Sequence, residues 1–179
     1  GKLIHGTART LWNRNDEYYK QASWRGTKDL DGGTLMNQCI HNIDLLQWMM
    51  GGEIERLHSE IDTFIRNIET EDFGAILMRF KSGAVGIVEG SVCVYPKNFE
   101  ESLNIFGEKG TVVIKNGKIA TWVFEDERDY DNFEYDESNL GHTPLYKDLI
   151  DAINNDREPL VNGEEGKKAL EIIVRSYER

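Results

Sequence analysis

From Glu55 to Phe124 the chain runs through six strand-like segments joined by short turns, and this succession limits the fold more than any other feature. The segments are Glu55–Ile65, Asp72–Phe80, Val85–Val94, Leu103–Phe106, Thr111–Ile114 and Lys118–Phe124, where β-branched and aromatic residues recur. Lys81-Ser82-Gly83, Gly107-Glu108-Lys109-Gly110 and Asn116-Gly117 supply the turns. Strands joined this tightly pair antiparallel, because a parallel return needs a crossover of about a dozen residues or more.

The rest of the chain supplies helices and one further strand. Residues 3–14 read as an opening strand, and Asp16 to Asp31 as an irregular stretch ending in the turn Asp31-Gly32-Gly33-Thr34. Between Leu35 and Met50 the apolar positions Leu35, Cys39, Ile43, Leu46 and Met50 recur at steps of three or four, which predicts a helix stopped by Gly51-Gly52. Pro144–Asn155 and Gly163–Glu178 read as two closing helices, with Thr143 as the N-cap of the first. The expected fold class is therefore α+β: an open, largely antiparallel sheet of about six to eight strands with helices on one face. The other face is then free for subunit packing, and a homo-dimer or homo-tetramer is expected.

Composition narrows the function. A chain of 179 residues, 39% hydrophobic, suits a single domain spanning 1–179. A net charge of −11 repels a phosphate backbone or an anionic bilayer, so neither nucleic acid nor membrane is expected as a partner. Cys39 and Cys93 lack CxxC spacing, which fits a reducing, cytoplasmic setting. No apolar run is long enough to span a bilayer, and the start at Gly1 shows no signal-peptide core, so it reads as the edge of a domain taken from a longer chain. Glu125 to Glu137 holds eight acids and one base, Arg128, and reads as a solvated insertion at a sheet edge. It lacks the spacing of a calcium loop, and no metal is expected.

Asn37, His41 and Asp44 fall at steps of four and three on the first long helix, so they are expected to share one face. An imidazole there can take a proton from a substrate hydroxyl, yet the same spacing also fits an ordinary surface pair. Arg25 has the fork to clamp a carboxylate or diphosphate, or to order the neighbouring turn. Trp24, Tyr18 and Tyr19 are able to stack on a sugar or a base, or to serve as core. His142 reads first as part of a helix entry and second as a substrate contact.

The string Trp24-Arg25-Gly26-Thr27, followed by Asp31-Gly32-Gly33-Thr34-Leu35-Met36-Asn37-Gln38-Cys39-Ile40-His41-Asn42-Ile43-Asp44 and closed by Trp48-Met49-Met50-Gly51, resembles the segment opening the C-terminal domain of the glucose-fructose oxidoreductase/inositol dehydrogenase/rhizopine-catabolism family. Glu71-Asp72, Phe80-Lys81-Ser82-Gly83-Ala84, Gly107-Glu108-Lys109-Gly110-Thr111 and Gly141-His142 fall where that family has similar features. Within it, Trp-Arg-Gly-Thr and Leu-Met-Asn-Gln-x-Ile-His look most like members that oxidise C3 of UDP-N-acetylglucosamine-type sugars, notably UDP-N-acetylglucosaminuronate 3-dehydrogenases. The resemblance implies an NAD- or NADP-dependent dehydrogenase acting on a sugar or nucleotide sugar, with His41 as general base for the hydroxyl proton and Asn37 beside it. It also implies that Gln38 touches the sugar's N-acetyl group, as a substrate-binding residue, or the cofactor. Many members carry Asp at the position of Asn37, and an amide lacks the charge that raises imidazole basicity.

The resemblance further implies an upstream nucleotide-binding domain of roughly 120 residues that would hold the cofactor and supply a Lys to the reacting hydroxyl. This chain has no GxGxxG after a strand and no βαβ alternation, so alone it is expected to be inactive and to bind NAD weakly. The competing expectation is a non-catalytic α+β assembly or ligand-binding module on the same scaffold.

Overall fold

The computed structural model describes residues 1–126 and 141–178. Leu3–Leu11 forms β1. Asn15 then caps a short helix, α1 (Asp16–Lys20), its side-chain oxygen accepting the Tyr18 N–H at 3.0 Å. The stretch expected to be irregular therefore opens on a helical turn, and Asn-Asp-Glu at its start is the local reason: a capping side chain followed by two acids at the positive end of the helix.

The expected helix from Leu35 to Met50 is two segments, α2 (Thr34–Asn37) and α3 (Ile40–Met49). At the join, the Cys39 N–H reaches back five residues to the Thr34 carbonyl at 3.1 Å, which also accepts from Gln38 N at 3.0 Å. One extra residue in the turn rotates the next segment by about 100°. Shared helical spacing therefore does not carry from Asn37 across to His41, which corrects the expectation that Asn37, His41 and Asp44 lie on one continuous face. The apolar stripe survives the break: Leu35, Cys39, Ile43, Leu46 and Met50 are all buried. Gly51 and Gly52 adopt φ of +92° and +81°, and the Gly52 N–H closes on the Gln47 carbonyl at 2.8 Å, ending the helix where expected.

The strands β2 (Ile54–Asp62), β3 (Phe73–Phe80), β4 (Val85–Ser91), β5 (Glu100–Gly107), β6 (Gly110–Lys115) and β7 (Lys118–Phe124) join β1 in one seven-stranded sheet of order β2-β3-β4-β1-β5-β6-β7. All neighbours are antiparallel except β1 and β4, which run parallel with Thr7 opposite Ile87. The run of antiparallel strands is thus interrupted: β4 and β5 follow each other in sequence but are separated in space by β1. The inner face of β1, with Gly6, Ala8 and Thr10 buried, is small enough to lie beneath α3, and this central place covers it on both edges.

α5 (Gly163–Tyr177) packs beside α3, burying Ala169, Ile172 and Ile173 in the core on that same face of the sheet. α4 (Thr143–Asn154) begins one residue earlier than expected, with His142 rather than Thr143 at the N-cap and Pro144 in its first turn. Its apolar positions Leu145, Leu149, Ile150 and Ile153 are 43–72% exposed. Among the described residues the opposite face of the sheet is open. There the His5 ring stacks on Phe106 at 4.4 Å, Arg9 bridges Glu89 and Glu100, and Leu77 and Ile87 face each other across β3 and β4. Most of the acidic stretch expected to form a solvated insertion lies outside the described residues; Glu125, at its start, pairs with Lys109 at 2.6 Å. Among the described residues no helix is long and apolar enough to cross a membrane.

Candidate active site

The N-cap of α2 is Gly33, which has no side chain to cap it. Glu71, carried in just ahead of β3, takes that role: its Oε1 accepts the Leu35 N–H at 2.8 Å, and its backbone carbonyl accepts the Thr34 N–H at 3.1 Å. A Cβ at position 33 would lie 1.6 Å from Glu71 Oε2, so glycine is what admits the carboxylate. Burial raises the Glu71 carboxyl above the ordinary glutamate range, against the pull of the Leu35 N–H. The adjacent Asp72 goes the other way. Burial opposes its ionisation, but the N–H groups of Phe64, Ile65 and Arg66, each at 2.8 Å, bring it below the usual aspartate range.

From α2 a chain of hydrogen bonds runs outward. The Gly26 N–H donates to Asp31 Oδ2 at 2.5 Å, and the Asn37 amide donates to Asp31 Oδ1. Gln38 Nε2 donates to the Asn37 amide oxygen and to the Tyr18 hydroxyl, the latter at 3.1 Å. Arg14 Nε donates to Gln38 Oε1 at 2.9 Å. The Tyr18 ring has two guanidiniums against it, with Arg25 Cζ at 4.1 Å and Arg14 Cζ at 5.0 Å from its centroid. Trp24 lies 4.9 Å from Arg25, and Trp12 lies 4.7 Å from Arg14. Tyr19 meets Tyr18 edge-on at 5.2 Å, and burial, then Tyr18 and Asp31, raise its phenol.

Trp24, Arg25, Asn37, Gln38 and Tyr19 therefore belong to one cluster around α2 and its C-terminal end. His41 is the second residue of α3, three residues beyond Gln38. It is exposed, and among the described residues its imidazole has no hydrogen-bond or ion-pair partner. Asp44 does not engage it; its Oδ1 accepts from Gln47 Nε2 at 3.0 Å. Next to His41, the buried Asn42 donates to Thr10 Oγ1 at 2.9 Å and ties α3 to β1. His142 is exposed at the N-cap of α4, and no described contact brings it to this cluster.

Two members were not legible as site residues. Arg14 lies just past a strand, and only its neighbours Trp12 and Tyr18 hinted at a stacking partner; Asp31 read as a turn residue. The two thiols are poor nucleophile candidates: burial pushes both Cys39 and Cys93 up to about 12, Asp72 adding to the shift at Cys93. Among the described residues the single parallel pair, β1 and β4, is not linked as a βαβ unit. What they offer is a polar, aromatic and cationic surface, with the unengaged imidazole of His41 three residues beyond Gln38 in the chain.

A family model described as the GFO/IDH/MocA C-terminal domain matches residues 1–113. The chain belongs to the GFO/IDH/MocA family. The resemblance carried by the Trp24–Gly51 string is thereby confirmed. Among solved structures, the WlbA dehydrogenase of Bordetella pertussis in complex with NADH and UDP-GlcNAcA is 35% identical with a TM-score of 0.87, over 99% of this chain and 54% of that one. The WlbA dehydrogenase of Chromobacterium violaceum, in complex with the same two ligands, is 37% identical with a TM-score of 0.88, over 99% and 52%. The myo-inositol 2-dehydrogenase of Thermotoga maritima is 28% identical over 79% of this chain and 45% of its own length. This GFO/IDH/MocA chain spans about half the length of each of these relatives.

Proposed function

We propose that this chain is the substrate-binding and proton-accepting part of a nicotinamide-dependent dehydrogenase acting on a secondary hydroxyl of a sugar, C3 of a UDP-linked N-acetylhexosamine or its uronate. The observation that carries this is the 35–37% identity, over 99% of the chain, to two dehydrogenases held with NADH and UDP-GlcNAcA. The nicotinamide supplies the hydride acceptor when bound. As the carbinol carbon gives up hydride, the hydroxyl proton passes to the imidazole of His41 and the product is a ketone. His41 has the exposure and the freedom from protein partners that this role needs. Arg25, Trp24, Tyr19 and Gln38 hold the substrate, and Asn37 orders the turn between them and His41.

The open sheet face, with Leu77 and Ile87 exposed, is the subunit interface of a dimer or tetramer. The free thiols of Cys39 and Cys93 support a reducing cytoplasmic setting.

The test is the reduction of NAD by the natural protein that carries this sequence, with UDP-N-acetylglucosaminuronate as substrate. Replacement His41→Ala is expected to lower kcat by roughly a hundredfold or more. Turnover that ignores this substitution assigns the chemistry to other groups. No NAD or NADP reduction with nucleotide sugars or with myo-inositol leaves the chain a binding or assembly module.

A further inference from the structure

We propose that Arg14 and Arg25, set against the ring of Tyr18, form an oxyanion subsite that receives the acidic group of the ligand, a carboxylate or a phosphate. This rests on the substrate class proposed above and adds to it Arg14, a residue to which no role has been attached.

Two guanidiniums within 5.0 Å of one ring centroid repel each other, and a carboxylate between them is the usual remedy. Elsewhere in the fold that remedy is used: Arg9 meets Glu89 at 2.7 Å, and Arg157 meets Asp148 at 2.7 Å. Among the described residues neither Arg14 nor Arg25 has an ion pair. The carboxylate of this cluster, Asp31, is taken up by Gly26 N–H and Asn37. The cations are held by ring faces and amide oxygens instead, a mode of support that leaves their charge uncompensated.

Their donors are also left over. Arg14 spends Nε on Gln38 and Nη1 on the Asn13 carbonyl at 3.0 Å and Asn98 Oδ1 at 3.3 Å, which leaves Nη2 open. Arg25 Nε is buried without a hydrogen-bond partner, and among the described residues no other protein group takes the donors of its fork. A planar guanidinium fixed by stacking, with unused N–H groups, is preorganised for paired oxygens and loses little freedom on binding them. In a chain of net charge −11 an anionic ligand is repelled at long range, so a local cationic pair is what such a ligand requires. Gln38 ties Arg14 to the segment that leads into α3, whose second residue is His41.

The test is a titration of the natural protein followed by tryptophan fluorescence, since Trp12 and Trp24 lie against the two guanidiniums. The probes are inorganic pyrophosphate, D-glucuronate and neutral N-acetylglucosamine. Arg14→Gln and Arg25→Gln are each expected to weaken binding of an anion about tenfold or more, the scale of one charge-assisted hydrogen bond, and to weaken the neutral sugar much less. Loss confined to pyrophosphate places phosphate in the subsite, and loss confined to glucuronate places the carboxylate there. Arg14→Lys and Arg25→Lys, which keep the charge but not the fork, stand in for a variant that fails to fold and are expected to lose affinity for the same anion. Wild-type protein that binds neither anion, or variants that bind both as tightly as it does, overturn the proposal. Turnover of UDP-N-acetylglucosaminuronate is measured on the same proteins. Anion binding that depends on Arg14 and Arg25 without any NAD reduction sinks the dehydrogenase reading alone, whereas turnover with an unchanged KM in both variants sinks the subsite alone.

Discussion

The hydroxyl of Tyr177, in the last turn of α5, donates to Glu71 Oε1 at 2.9 Å, the same oxygen that accepts the Leu35 N–H at the start of α2. One buried carboxylate therefore joins the end of the chain to the segment that opens the candidate site. Burial, and then the charge of Glu71, raise the Tyr177 phenol as well, so this hydroxyl stays a donor at neutral pH.

The raised carboxyl of Glu71 makes stability depend on pH. A carboxyl that holds its proton more tightly when folded adds stability that is complete below the ordinary glutamate value of about 4.3 and is lost as pH rises through the folded value. Melting temperature measured against pH is expected to fall across that window, and Glu71→Gln is expected to flatten the fall. Equal slopes in both proteins would show that another group is responsible. Tyr177→Phe, which leaves the carboxylate short of a donor, is expected to cost about 1–3 kcal/mol at neutral pH.

Asp72 has the opposite sign. Its folded value is depressed by three N–H donors despite burial, so its contribution is present above the ordinary aspartate value of about 3.9 and disappears as pH falls through the folded one. Asp72→Asn is expected to lose about 2 kcal/mol at neutral pH and much less in acid, as read by urea denaturation at both pH values. An undiminished loss in acid would mean that the charge of Asp72 is not what holds residues 64–66.

Asn37 faces the carboxylate of Asp31. Asn37→Asp would set two carboxylates together here and is expected to destabilise the fold by about 1–3 kcal/mol. Exchanging the pair, Asp31→Asn with Asn37→Asp, is expected to recover most of that loss. A double-mutant cycle without coupling would argue that the two side chains do not interact in solution.

Ile87 lies opposite Leu77 on the open sheet face, and both are substantially exposed. If that face is the subunit interface, Ile87→Arg is expected to weaken assembly at least tenfold, seen as a monomer by sedimentation with the melting cooperativity preserved. An unchanged oligomer would move the interface elsewhere, and the exposed apolar stripe of α4 would be the next surface to probe.

The local elements were legible because their causes are local. Lys118–Phe124 has the bounds the alternation and the Asn116-Gly117 turn predict, and Gly51-Gly52 stops the helix where expected. The family was legible in the Trp24–Gly51 string, since a motif is a matter of residue order. Burial of Leu35, Cys39, Ile43, Leu46 and Met50 also agreed with their spacing, although the helix they line is broken at Cys39. A five-residue hydrogen bond leaves no mark in an apolar pattern that remains buried on either side of it.

What only the tertiary structure decided is who meets whom. Nothing in the order of residues places β1 between β4 and β5, because a strand's alternation specifies its faces and not its neighbours. Glu71 caps a helix that begins 37 residues before it through Thr34, and Gln38 reaches Arg14 across 24 residues. Those pairings arise when the sheet and the helices on it bury their apolar faces together, and they set the buried carboxylates, the stacked guanidiniums and the unengaged imidazole of His41 in relation to one another. The sequence by itself determined the elements, their inner faces and the family; the candidate site is made by contacts that exist only once those faces are buried.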